Sequence, residues 1–256
     1  GHDILTAVLE VLDSTIVNVA LPHLQAAFGI AADQTTWILT SYIVAAIVVM
    51  PLTGLFARWL GKRRLITISI VGFTVFSALC GIAENIEMMV VCRLGQGLFG
   101  AFLIPLSQST LMNAFPRDRR GQAMAMFGLG VIVAPILGPT LGAVLTEHFS
   151  WRAVFYVNVP IAAFALMMIS GELQREETQK VAIDWTGLIL MVLAIGCLQF
   201  VLDQGETRDW LESRVIQVFV TVAALSAVLF VVRGWRLDTN IIDFRLLRDR
   251  SFASAN

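Results

Sequence analysis

Glu10, Asp13 and Arg93 are the only formally charged side chains inside the long apolar runs of this 256-residue chain. A charge at the centre of a bilayer costs about 2.5–3.5 kcal/mol on insertion scales, so each needs a partner, a wet cavity or a neutral state. Asp13 lies nine residues before Pro22, or about 13 Å along a helix. Arg93 lies five residues after Met88, or about 8 Å by the same rise. Those depths allow an acid–base pair. Glu10 sits one turn from Asp13 on the same helical face, either as a second titrating acid or facing a wet vestibule. Out of water a carboxylate favours its protonated form, and a nearby guanidinium favours the ionised one. Opening a cavity, or bringing in a cation, would tip that balance. The chemistry is reversible proton and cation binding, with the pair bordering a watery hollow. The competing reading is a static ion pair, but buried pairs add little net stability. Asn18, Gln96, Gln108 and Asn158 either line the same cavity or bond between helices.

The elements that must carry these residues are eight uninterrupted apolar runs, at 4–21, 37–57, 65–83, 88–115, 122–146, 153–171, 185–202 and 215–232. Each has roughly the 17–25 residues of a crossing helix, or somewhat more where tilt absorbs the excess. Barrel strands would alternate in polarity, and these runs do not. The composition agrees. The chain is 57% hydrophobic and 14% charged, against about a quarter charged in soluble domains.

The fifth run contains GLGVIVAPILGPTLG at 128–142. Gly130, Ala134, Gly138 and Gly142 recur every four residues and form one narrow stripe, on which another helix can approach backbone to backbone. Pro135 and Pro139 lie beside the stripe, and each removes a backbone donor. The expectation is a tightly packed yet deformable helix, suited to a protein that moves.

Of the 18 Lys and Arg residues, fourteen fall on the side that holds both chain ends, three on the opposite side, and Arg93 in the membrane. The positive-inside rule then makes both ends cytoplasmic. The charged segment 172–184 is expected to be a cytoplasmic linker with Asp184 capping the next helix. It separates a six-helix domain, 1–171, from a helix pair, 185–233. The tail 234–256 reads as a lead-in to further chain, and the opening at Gly1, without a methionine, as a truncated start. Cys80, Cys92 and Cys197 have no paired spacing, so neither a disulfide framework nor a metal site is indicated. His23 and His148 are expected in outer loops. Nothing resembles a nucleotide loop, a nucleophile constellation or a cofactor site. No catalytic residue, cofactor or nucleic-acid partner is expected.

Four stretches, in order, resemble the drug:proton antiporters of the major facilitator superfamily. LDSTIVNVALP (12–22) is similar to their first-helix signature, and GLFARWLGKRR (54–64) to the loop between the second and third helices. RLGQGLFGA (93–101) resembles the fourth-helix motif with its membrane-embedded arginine, and GPTLG (138–142) the fifth-helix exporter motif. IPLSQS (104–109), WRAVFYVNVP (151–160), IDWTG (183–187) and LDQGETRDW (202–210) look like the fourteen-helix branch of EmrB-type multidrug exporters.

The resemblance implies an all-α integral membrane protein: a six-helix half made of two three-helix repeats, plus an extra transmembrane helix pair. It implies that a carboxy-terminal half is missing. Asp13 and Arg93 match the first-helix acid and the fourth-helix arginine. Gly54, Gly61 and Arg64 match the loop motif, and Gly97 the fourth-helix glycine. The loop's acidic position is here Arg58, so the lock that acid provides is not assigned. Glu10 matches no family role.

The implied function is proton-driven export of amphipathic toxic compounds from the cytoplasm across the plasma (inner) membrane. With an outer membrane present, a periplasmic adaptor and an outer channel would be partners. A narrow-specificity metabolite transporter of the same fold is the alternative, followed by a non-transporting receptor or scaffold.

Overall fold

The computed structural model of the chain describes residues 2–170, 184–206 and 209–236. Every regular element among them is a helix. The chain divides into two compact units, Gly1–Thr178 and Gln179–Asn256. Seven helices among the described residues are long and apolar enough to cross a membrane: Asp3–Phe28, Ala32–Leu60, Lys62–Gly81, Ile86–Ala114, Arg117–His148, Trp185–Gln204 and Arg214–Trp235. The run at 153–171 forms a shorter apolar helix, Ala153–Ile169.

In chain order the first unit has α1 (His2–Phe28), α2 (Ala32–Val49), α3 (Thr53–Leu60), α4 (Lys62–Gly81), α5 (Ile86–Gly100), α6 (Leu103–Ala114), α7 (Arg120–His148), α8 (Ala153–Tyr156) and α9 (Asn158–Ser170). Breaks within single spans follow proline, which lacks the N–H for the carbonyl one turn back. Pro51 lies in a 3₁₀ turn between α2 and α3. Pro105 and Pro160 lie in the first turns of α6 and α9. Other prolines do not break their helices: Pro22 in α1, and Pro135 and Pro139 in α7. The first helix therefore runs past Pro22 to Phe28. That places His23 inside α1 rather than in a loop, and His148 closes α7.

Local caps set the helix starts. The Asn85 side chain accepts the Met88 N–H at 2.8 Å and begins α5, satisfying one of the free donors of a first turn. Gly61 adopts φ 84°, a left-handed conformation that favours glycine, and so turns the chain from α3 into α4. Around it, Lys62 donates to Ser109 at 2.7 Å and Arg63 to the Ile169 carbonyl at 3.2 Å. Arg58 donates to the Gly54 carbonyl, and Arg64 is exposed. A side chain on Gly54 would meet nothing, so no packing reason for that glycine is apparent.

The small-residue stripe of α7 lies on α1. A Cβ on Gly130 would stand 2.5 Å from Ile4, one on Gly138 2.6 Å from Thr15, and one on Gly142 3.1 Å from Val19. Ala134, Gly138 and Gly142 are buried, while Pro135 and Pro139 beside them are exposed. Many large apolar side chains of α7, including Leu129, Ile132, Ile136 and Leu137, point outward, while Phe127 is buried.

The second unit contains α10 (Trp185–Gln204) and α11 (Arg214–Arg236), which pack along each other with Phe200 stacked on Phe219 at 4.2 Å. Asp184 caps α10 as expected, accepting the Gly187 N–H at 3.1 Å. It also pairs with Arg233, at 2.9 and 3.1 Å. Those hydrogen bonds hold its carboxyl below its ordinary proton affinity. The rest of the expected linker, 172–183, and the tail beyond 236 lie outside the described residues.

Candidate functional site

The acid and the base singled out above meet inside the first unit. Arg93 Nη1 donates to Asp13 Oδ2 at 2.8 Å, and both side chains are essentially unexposed. The pair is not bare. Gln96 Nε2 and Asn158 Nδ2 donate to Asp13 Oδ1 at 2.9 and 2.6 Å, so three donors engage the carboxylate. Arg93 Nη1 also reaches Gln96 Oε1 at 2.7 Å, and its Nε donates to the Ile38 carbonyl at 3.2 Å. The Tyr42 ring covers the guanidinium, 4.3 Å from centroid to Cζ, a cation–π contact that strengthens when desolvated.

Each helix contributes for a local reason. Arg93 and Gln96 are three residues apart on α5 and so share a face. Gly97 follows them, and a Cβ there would fall on the backbone oxygen of Tyr42. Its absence lets α2 lie close enough to deliver the Ile38 carbonyl and the Tyr42 ring. At the other side, the residues between α8 and α9 bring Asn158 inward. Its amide also donates to Ser77 on α4 at 2.9 Å, and Ser77 in turn donates to the Phe155 carbonyl at 2.8 Å.

This geometry corrects the expectation that the pair borders a watery hollow. Asp13 and Arg93 are enclosed by α1, α2, α5 and α9, and they hold each other directly. A buried ion pair persists only when its remaining hydrogen-bonding capacity is filled, and the amides of Gln96 and Asn158 do that here. Gln96 belongs to this enclosed network rather than to an open lining. Asn18 is exposed and donates to the Ser14 carbonyl, and Gln108 is half-buried on α6. The proposed cavity residues are thus not brought together.

Glu10 is 7% exposed, and its Oε2 has no hydrogen-bond partner. Tyr42 and the backbone of Ile104 lie close enough to bear on its charge. Tyr42 and Ser77 were not singled out by sequence reasoning. Tyr42, one of two tyrosines in the chain, carried a signal as a polar ring within an apolar run. Ser77 carried none, because serine is ordinary in such helices.

Comparison with known proteins agrees with this architecture. The family model described as Major Facilitator Superfamily matches residues 4–242. The multidrug export protein EmrB of Haemophilus influenzae is 38% identical over 254 residues, covering 97% of this chain and 49% of that protein. The fatty acid resistance protein FarB of Neisseria gonorrhoeae is 40% identical over 252 residues, with the same two coverages. The chain thus spans about half the length of the curated relatives it matches. Among solved structures, the human organic anion transporter MFSD10 (TETRAN) superposes with a TM-score of 0.59 at 16% identity, over 91% of this chain and 70% of that one. A D-xylose-proton symporter gives 0.56 at 14%, over 92% and 67%. The likeness to these two structures is one of fold. Apolar helices of crossing length, a family model matched over nearly the whole chain and relatives of this identity lead to one conclusion: the chain is a multi-pass membrane protein and belongs to the Major Facilitator Superfamily.

Proposed function

We propose that the chain is the amino-terminal part of a proton-coupled exporter of amphipathic toxic compounds, residing in the plasma (inner) membrane with both of its ends in the cytoplasm. The observation that carries the reading is the Asp13–Arg93 pair, a desolvated acid and base joining α1 to α5 where a static link would add little stability. The names of the relatives, multidrug export and fatty acid resistance, support the cargo class. Rocking of this six-helix part, 1–171, against a carboxy-terminal half would give alternating access. The extra pair, 185–233, would lie between the halves in the chain, joined by the linker 172–184. In an organism with an outer membrane, a periplasmic adaptor and an outer channel would complete the route.

In this mechanism Asp13 gains a proton from outside. The neutral acid no longer holds Arg93 by charge, so the contact between α1 and α5 loosens. Gln96, which bonds both partners, follows the change. Gly61 and Gly97, with the stripe Gly130, Ala134, Gly138 and Gly142 and its prolines Pro135 and Pro139, serve the packing and movement of helices, while Gly54 and Arg64 are assigned to movement of the loop and not to packing. Asn18 and Gln108 are the candidates to meet cargo.

The test is transport by the full-length protein in proteoliposomes. An imposed proton gradient should drive uptake of chemically unlike amphipathic compounds, and Asp13→Asn should lower it at least tenfold. Full uptake by Asp13→Asn would remove the acid from the mechanism. Uptake of one compound class alone would favour the narrow-cargo alternative, which the name of the fatty acid resistance protein FarB supports.

A further inference from the structure

The buried polar side chains of α1 form a line. Asp3 is 3% exposed, Thr6 0%, Glu10 7% and Asp13 0%. Steps of three, four and three residues put all four on one helical face, and that face turns into the core of the first unit. Three carboxyl groups on a single buried face are costly in a membrane helix. A purely structural helix would place aliphatic side chains there.

The two inner acids differ in their surroundings. Asp13 accepts hydrogen bonds on both of its oxygens, from Arg93, Gln96 and Asn158. Among the described residues one Glu10 oxygen has no hydrogen-bond partner, and neither has the hydroxyl of Tyr42, a residue only 5% exposed. The groups that act on the charge of Glu10 are Asp13 on its own helix, Tyr42 from α2 and the Ile104 backbone from α6. Arg93, from α5, lies against the Tyr42 ring. An unsatisfied buried polar group costs about 1–3 kcal/mol, and two such atoms, Glu10 Oε2 and the Tyr42 hydroxyl, belong to this region. Groups that alternately hold and release a proton need such spare capacity. The site is closed on all of these sides, which admits a proton and excludes a bulky cargo.

We propose that Glu10 and Tyr42 are the next station for a proton leaving Asp13, in a path along one face of α1 that ends at Asp3. The path spans ten residues, or about 15 Å at 1.5 Å per residue, half the thickness of the hydrocarbon core. The balance is one proton: it leaves the Asp13 carboxyl, binds the Glu10 carboxylate, and is released past Thr6 toward Asp3. Tyr42 accepts one proton and donates one, so it ends unchanged. Protonation of Asp13 loosens the pair, and loss of that proton to Glu10 restores it. This inference rests on the proton-coupled reading above and adds its route on the α1 side.

The experiment uses the full-length protein in liposomes with ethidium as the probe. It compares uptake driven by a proton gradient with exchange of ethidium at equal pH on both sides. For Glu10→Gln the ratio of driven uptake to exchange should fall at least tenfold. Glu10→Asp should recover most of it, and Tyr42→Phe should lower it about threefold. A ratio within twofold of wild type for Glu10→Gln overturns the path. So does an equal loss of both activities that Glu10→Asp does not repair, since that marks a structural role. Should Glu10→Gln fail to fold, Tyr42→Phe and Asp3→Asn decide: a ratio within twofold of wild type in both overturns it. Wild-type protein that takes up none of the amphipathic compounds with the gradient overturns the exporter reading itself, and the path with it.

Discussion

Arg93 makes contacts that no other cation could reproduce. Its planar guanidinium lies against the Tyr42 ring while Nε and Nη1 donate to different acceptors, Ile38, Asp13 and Gln96. Lysine carries the charge as a point on a flexible stem and cannot match that arrangement. Arg93→Lys is expected to lower the melting temperature of the detergent-solubilised protein. Arg93→Met, which strands the Asp13 charge, should cost more, about 3–5 kcal/mol. A melting temperature unchanged in Arg93→Lys would show that the ring contact and the Ile38 bond contribute nothing. The charges themselves were legible in the sequence, because a charged residue inside an apolar run stands out. Their enclosure was not. Asn158 reaches Asp13 across 145 residues of chain and Tyr42 covers Arg93 from another helix. Such convergence depends on packing that a single sequence does not state.

Helices show the same division. The stripe of α7 could be read from its four-residue spacing, yet a stripe does not say which helix will lie on it. The structure answers with α1, through Ile4, Thr15 and Val19. Prolines were visible too, but Pro51 accompanies a break in its span while Pro22, Pro135 and Pro139 do not. Whether a helix survives proline depends on how the freed carbonyl is satisfied by its surroundings. Glycine substitutions test the packing directly. Gly97→Ala would push a methyl group onto the Tyr42 backbone, and overpacking of this kind costs about 1–3 kcal/mol. Gly128→Ala meets nothing within 4 Å and should be neutral or slightly stabilising, because alanine is the better helix former. Thermal melting of the two variants side by side checks this, and equal melting temperatures would contradict the close approach of α2 to α5.

For the whole molecule, the distribution of Lys and Arg predicts which loops lie on which side. With the three native cysteines replaced, Glu84→Cys should react with a membrane-impermeant maleimide in intact cells. Asp118→Cys should react only after lysis. The reverse pattern would invert the proposed orientation, and with it the proposed direction of the proton path along α1. Membrane class and family were legible from composition and motif order, because apolar length and loop charge act locally along the chain.

The 80 residues between Asp13 and Arg93 also bear on how the protein is made. Synthesis delivers the carboxyl-bearing segment first and the guanidinium three hairpin passages later. Until then the acid has no counter-charge. The arrival of the arginine segment supplies it, so the enclosed pair can close only after α5 has entered the bundle, and a late fourth span would leave the first one unsettled in the bilayer.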